Sequence, residues 1–293
     1  MKILFVLLII GWTLEGVVHA QSNSVTRLSE VMVTERLLKE EAAVGAYGRP
    51  EWTTQRRFAA TRVYVQQEPW TVGAEQWVKA QWPKGESANY LLQEEISVGF
   101  PHRLQADVYE NWTINRDGRV RHDSIALEGR WALVDWGKIP LNPTLYAEWK
   151  FRDATQGPDA YELKLLLGEQ IAPRWHWGFN AIYEQEVGGA RATEWAASTG
   201  ISYTLIDEKL SLGVEMKVET VGEDGNRAKT PIEFDIGPSI QWRPTRNSHL
   251  DVVPLFGATS DSPRVELWLV LGFDFGPGKA KEGGKAPVSL QSR

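Results

Sequence analysis

The chain has 293 residues, a net charge of −6, 14 tryptophans and no cysteine. The missing cysteines exclude a disulfide framework and thiolate chemistry, and the mild acidity excludes the basic stripes that mark nucleic-acid binding. Past the N-terminal run no segment approaches ~20 consecutive apolar residues, which excludes a membrane-spanning helix.

Lys2 gives a positive start, Ile3 to Ile10 are unbroken apolar residues, and Val18 and Ala20 place small side chains at a cleavage site. This reads as a signal peptide over 1–20, so the mature chain starts near Gln21 and is exported. Residues 21–71 form a periplasmic N-terminal segment, a linker or a small plug. Within it the pattern predicts a short helix around 34–43 and an extended stretch over 58–67.

From 72 onward apolar and polar residues alternate with a period of two, the signature of strands with one apolar face. Twelve such segments are predicted, at 72–82, 90–100, 103–113, 122–133, 143–152, 160–168, 174–184, 194–204, 209–219, 231–242, 249–257 and 264–275. Strands of about ten residues, tilted by ~40°, span an apolar band ~25 Å tall. The connectors alternate in length. Pro101 to Arg103 and Ile206 to Lys209 are tight, whereas Thr113 to Arg121 and Thr220 to Thr230 are longer and polar; Asp135 to Asn142 breaks the rule. Short turns belong on the periplasmic side and long loops outside.

Aromatic residues on the apolar face gather at strand ends. Phe100, Trp131, Trp175, Trp177, Tyr203, Trp242, Phe273 and Phe275 fall at one level, and Trp82, Tyr90, Trp112, Tyr161, Tyr183, Trp195 and Phe256 at the other. Two belts separated by aliphatic residues suit a bilayer. The fold class is therefore all-β: a transmembrane, antiparallel up-and-down barrel of about 12 strands. A tail over 276–293, rich in Gly, Lys and Pro, reads as disordered.

The opposite face of the strands is polar, with acids outnumbering bases, and would line the lumen. Its candidate residues are Asp107, Glu128, Arg130, Glu148, Lys150, Arg152, Glu162, Lys164, Glu215, Lys217, Arg264 and Glu266. They form either the wall of a narrow wet passage or a salt-bridge network that fills it. Two carboxylates break the outward pattern. Glu94 and Glu110 fall on the apolar face, in register with each other. A bulge turning one inward is the leading account; a cation bridging them to lipopolysaccharide, or a contact between protomers, are the others. Catalysis has one thin candidate, His122 with Ser124. No metal cluster, cofactor motif or phosphate-binding loop is present, and no enzyme is predicted.

Signal peptide, twelve strands, belts and a closing strand that ends on Phe275 together resemble Gram-negative outer-membrane channels of the small, twelve-stranded porin-like kind. The resemblance covers 72–275. It implies a bacterial outer-membrane location, passive diffusion of small polar or charged solutes, and lipopolysaccharide and the barrel-assembly machinery as partners. The alternatives are a non-conducting structural or adhesive barrel and a lipid-active barrel enzyme. One departure stands out, since eighteen residues follow the closing Phe275. Separately, Glu30 to Glu35 resembles the box of TonB-dependent receptors. The large plug and barrel of those receptors are missing, so this fragment reads as exported linker.

Overall fold

A computed structural model describes residues 38–114, 118–222 and 230–276. The signal peptide, the fragment at 30–35 and the tail after Gly276 lie outside the described residues. Two short strands, β1 (Ala43–Val44) and β2 (Arg49–Pro50), pair before the main sheet. The helix expected at 34–43 is reduced to a single 3-10 turn, Lys39–Glu41, and Ala43 is already extended. Residues 34–37 of that expectation lie outside the described residues.

The main sheet holds β3 (Val72–Trp82), β4 (Asn89–Phe100), β5 (Leu104–Ile114), β6 (Val120–Ala132), β7 (Thr144–Arg152) and β8 (Ala160–Ala172). It continues through β9 (Trp175–Glu186), β10 (Thr193–Ile206), β11 (Leu210–Gly222), β12 (Ile232–Thr245), β13 (Ser248–Gly257) and β14 (Val265–Phe275). Each strand pairs antiparallel with the next, and β14 closes on β3, from Val265 opposite Trp82 to Phe275 opposite Val72. This is a closed, twelve-stranded, up-and-down barrel, which leaves no free sheet edge.

The period of two sets what each face meets. Along β5, Leu104 and Val108 point outward and are exposed, while Gln105 and Asp107 point inward and are buried. The same holds around the wall, where Ile125, Leu127, Leu145, Leu163, Leu212, Ile240 and Leu271 are exposed. At the end carrying Val72 and Phe275, Trp131, Trp175, Trp242 and Phe273 stand out from the wall; at the other end Trp82, Trp195 and Phe256 do so. Trp149, Tyr161, Tyr183 and Trp195 form a run of neighbouring rings on that second rim, with centroids 6.3, 6.1 and 4.7 Å apart where they meet. Trp149 itself falls outside the predicted belts.

Twelve strands enclose more space than inward side chains fill. Residues 51–71 occupy part of that space. Trp52, Phe58, Ala59, Tyr64 and Val65 are all buried. The long connector over 133–143, out of place in the turn pattern, packs against this segment. Trp136 sits edge-on to Trp52 at 5.6 Å and to Tyr64 at 5.4 Å, and the Tyr64 hydroxyl donates to the Val134 carbonyl.

Candidate functional site

The lumen divides into two levels. At the level nearer Val72 and Phe275, residues 55–67 thread the barrel without joining a sheet, so their amides need partners from elsewhere. Wall side chains supply them. Glu215 on β11 accepts from the Ala59 and Ala60 amides at 3.0 and 2.7 Å. Asn180 on β9 accepts from the Arg62 amide at 2.7 Å and donates to its carbonyl at 2.8 Å. Gln105 on β5 accepts from the Gln66 and Gln67 amides at 2.7 and 3.0 Å.

The segment's arginines meet the wall's acids. Arg56 bridges Glu75 at 2.7 Å and Arg62 bridges Glu95 at 3.2 Å, while Arg57 donates to Ser211 and reaches Glu40 at 2.8 Å. Arg56 and Arg62 also lie over the Trp77 ring, at 4.0 and 5.1 Å from its centroid. His249 extends the chain of contacts, with Asp251 on Nδ1 at 2.5 Å and Glu75 at 3.4 Å from Nε2. Burial pushes the Glu40 carboxyl up, but Arg57 and Arg243 beside it hold it net below its ordinary value.

Apolar seating comes from three glycines in register across three strands, Gly168 on β8, Gly178 on β9 and Gly200 on β10. A Cβ on Gly168 would lie 2.2 Å from Val63, one on Gly178 2.7 Å from Val63, and one on Gly200 2.5 Å from Phe58. No other residue leaves that room, so the glycines form a trench in the wall that receives Phe58 and Val63.

Glu95, Asp107 and Glu128 carry oxygens within 4.8 Å of one another, all buried. Arg130 lies among them, 2.8 Å from Asp107 and bonded to Glu128, with Arg62 beside Glu95. Guanidinium groups thus supply the positive charge this acid cluster needs.

The second level is a vestibule of about 340 Å³, floored by Ala59, Ala60 and Arg62 of the segment. Its walls pair their own charges. Lys150 bridges Glu184 at 3.1 Å, Lys164 bridges Glu162 at 2.7 Å, Lys79 bridges Glu266 at 3.2 Å, Arg152 bridges Glu186 at 3.3 Å, and Lys217 bridges Glu219. Tyr109 and Tyr146 both donate to Glu148. At the far end a second cavity of about 330 Å³ is lined by Arg49, Gln66, Glu68, Thr71 and Phe275. Between the two, the gap among Trp52, Arg56, Arg57, Arg62 and Gln66 holds about 10 Å³, no more than one water needs.

The sequence candidates fall into these levels. Asp107, Glu128, Arg130 and Glu215 lie against the N-terminal segment, and Glu148, Lys150, Arg152, Glu162, Lys164, Lys217 and Glu266 surround the vestibule. Arg264 stands apart, since it precedes β14 and is exposed at the rim. Sequence reading missed Arg56, Arg57, Arg62, Gln66, Gln67 and the glycine trench. A signal for them existed: an inward face with surplus acid needs cations, and three arginines cluster over 56–62.

Two local expectations change. A bulge does occur beside Glu110, where the register slips between Asn111 and Trp112, but it turns neither carboxylate inward. Glu94 and Glu110 are both exposed on the outer face, directly opposite each other. A charge facing hydrocarbon costs up to about 2–4 kcal/mol at midplane for basic residues and less for acids. The bulge also separates His122 from Ser124. His122 lies outside, 3.4 Å from Glu110, whereas Ser124 is buried and bonds Asn111 at 3.0 Å. No base–nucleophile pair results from them.

No family model and no curated protein matches the chain. Solved structures do match in shape. An outer-membrane channel from Pseudomonas putida F1 superposes with a TM-score of 0.56 at 9% identity, over 72% of this chain and 98% of that one. This chain has the fold of the porin-like outer-membrane barrels. Weaker matches include the NanC porin, with a TM-score of 0.47 at 12% identity over 70% of this chain and all of that one. The KdgM porin gives 0.46 at 9% identity, over 70% and 99%.

Proposed function

We propose that this protein is a channel of the bacterial outer membrane for small polar solutes, closed in the described conformation by its own N-terminal segment. The observation that carries this reading is the layout of the lumen. Two cavities face opposite ends, and a segment held mainly by hydrogen bonds and ion pairs lies between them. Polar contacts of that kind can be exchanged for water, unlike a packed aliphatic core. The vestibule walls pair their own lysines and arginines with their own glutamates, within and between strands, which favours neutral or weakly charged solutes over strong ion selection. An apolar outer wall with aromatic ends supports the membrane location, with lipopolysaccharide and the assembly machinery as the contacts that location implies.

Planar-bilayer recording tests the proposal. The intact protein is expected to give rare or small conductance steps, and a variant lacking 55–67 large and frequent ones. Silence from both, in several salts, would overturn it in favour of a non-conducting barrel.

A further inference from the structure

The outer wall carries one polar stripe. Gln76 on β3 lies opposite Glu94 on β4, Glu94 lies opposite Glu110 on β5, and His122 on β6 approaches Glu110 at 3.4 Å. These are outward positions on four consecutive strands, and their outward neighbours are Val108, Ile125 and Leu127, all exposed. Glu110 lies six residues from one end of β5 and four from the other, well inside the strand. Gln76 has a partner, because its amide donates to the Gln93 carbonyl at 3.1 Å. Glu110 has His122 beside it, yet Glu110 keeps 47% of its side chain exposed and His122 keeps 30%.

An acid and a base side by side on one face have a special property under two-fold symmetry. Rotating a copy by half a turn places each base opposite the other copy's acid, so the patch complements itself. Polar side chains that meet between membrane segments act as glue, because the alternative is lipid. We propose that this face seats a second copy of the chain. The two-fold axis would run along the membrane normal between β5 and β6, setting Glu110 of each copy against His122 of the other. Val108 and Leu127, which are partners in register, would then pack across the axis beside the Glu110–His122 contacts. Glu94 would lie at the edge of the contact, shielded from lipid by the neighbouring barrel.

The inference rests on the outer-membrane reading, and the tests separate the two. Fractionation first asks whether the protein enters membranes; failure there removes the location. For protein extracted from membranes, light scattering in mild detergent is expected to report a dimer. Glu110→Leu and His122→Leu should each weaken association at least tenfold while the barrel stays folded, since both changes only make a lipid-facing wall more apolar. The exchange Glu110→His with His122→Glu should restore it. The chain has no cysteine, so Val108→Cys and Leu127→Cys chains, each carrying one cysteine and co-expressed, should form an intermolecular disulfide in membranes on oxidation with copper phenanthroline. A monomer in several detergents and in nanodiscs overturns the proposal. So does a dimer that survives both leucine substitutions and yields no disulfide, an outcome that would assign the stripe to lipid or to another protein.

Discussion

The two levels of the lumen are built on the same strands by the same alternation, yet they solve opposite problems. At the closed level the wall presents acids and amides, and the N-terminal segment brings the arginines and backbone amides that satisfy them. At the vestibule the wall is self-sufficient, because its own lysines and glutamates pair with each other, within one strand (Lys164 with Glu162), between adjacent strands (Lys79 with Glu266) or across an intervening one (Lys150 with Glu184). The difference shows that inward charge alone does not define a pore lining. What matters is whether the countercharge comes from the wall, leaving space, or from a separate segment, which fills it.

That contrast can be broken most directly at Arg62. Arg62→Ala strands Glu95 near Glu128 and Asp107 without one of their two cations. Breaking a buried pair costs about 3–5 kcal/mol when water cannot enter. The expected result is a lower denaturant midpoint and a several-fold rise in open-channel events, with Arg62→Lys intermediate. Next in size is Gly200→Leu, which fills the trench that receives Phe58. Overpacking costs about 1–3 kcal/mol, and here it should fall on the segment rather than the barrel. Limited proteolysis should cut 51–71 sooner, while the β-strand content read by circular dichroism is unchanged. Pairing it with Phe58→Ala should restore protection.

Lys150→Glu probes the other level. It removes the cation that Glu148 and Glu184 share, so reversal potentials should shift toward cations while protease protection of 51–71 is unchanged. A shift in protection as well would mean the two levels are not independent. The smallest effect is a pH dependence at Glu40. Its value is below the ordinary 4.5, so its contribution is full above that value and fades as pH falls through the lower, folded one. Proteolysis of the segment should therefore be flat near neutrality and rise only under acid conditions. Glu40→Gln should be indifferent to that change.

Much of this was legible in the chain. β3 begins and ends where alternation placed it, at Val72 and Trp82, and the other strands differ by a few residues at their ends. Side-chain period depends only on neighbours along one strand, and cross-strand order follows from short turns. The register of Glu94 with Glu110 was legible for the same reason, being set by the tight turn at 101–103. The direction of the bulge was not, because a bulge reflects pairing with a third strand, β6. Neither was the role of the 133–143 connector, whose Trp136 meets Trp52 and Tyr64 from a distant part of the sequence.

By itself the sequence determined a twelve-stranded barrel with an apolar exterior and a charged interior, since hydrophobic alternation is a local code and a closed sheet is what it builds. Only the tertiary structure decided which inward charges face a vestibule and which hold the N-terminal segment. That choice depends on contacts such as Arg62 with Glu95 and Phe58 with Gly200. Their partners are separated by 33 residues in one case and by most of the barrel in the other. No periodicity along the chain records which distant residues will meet.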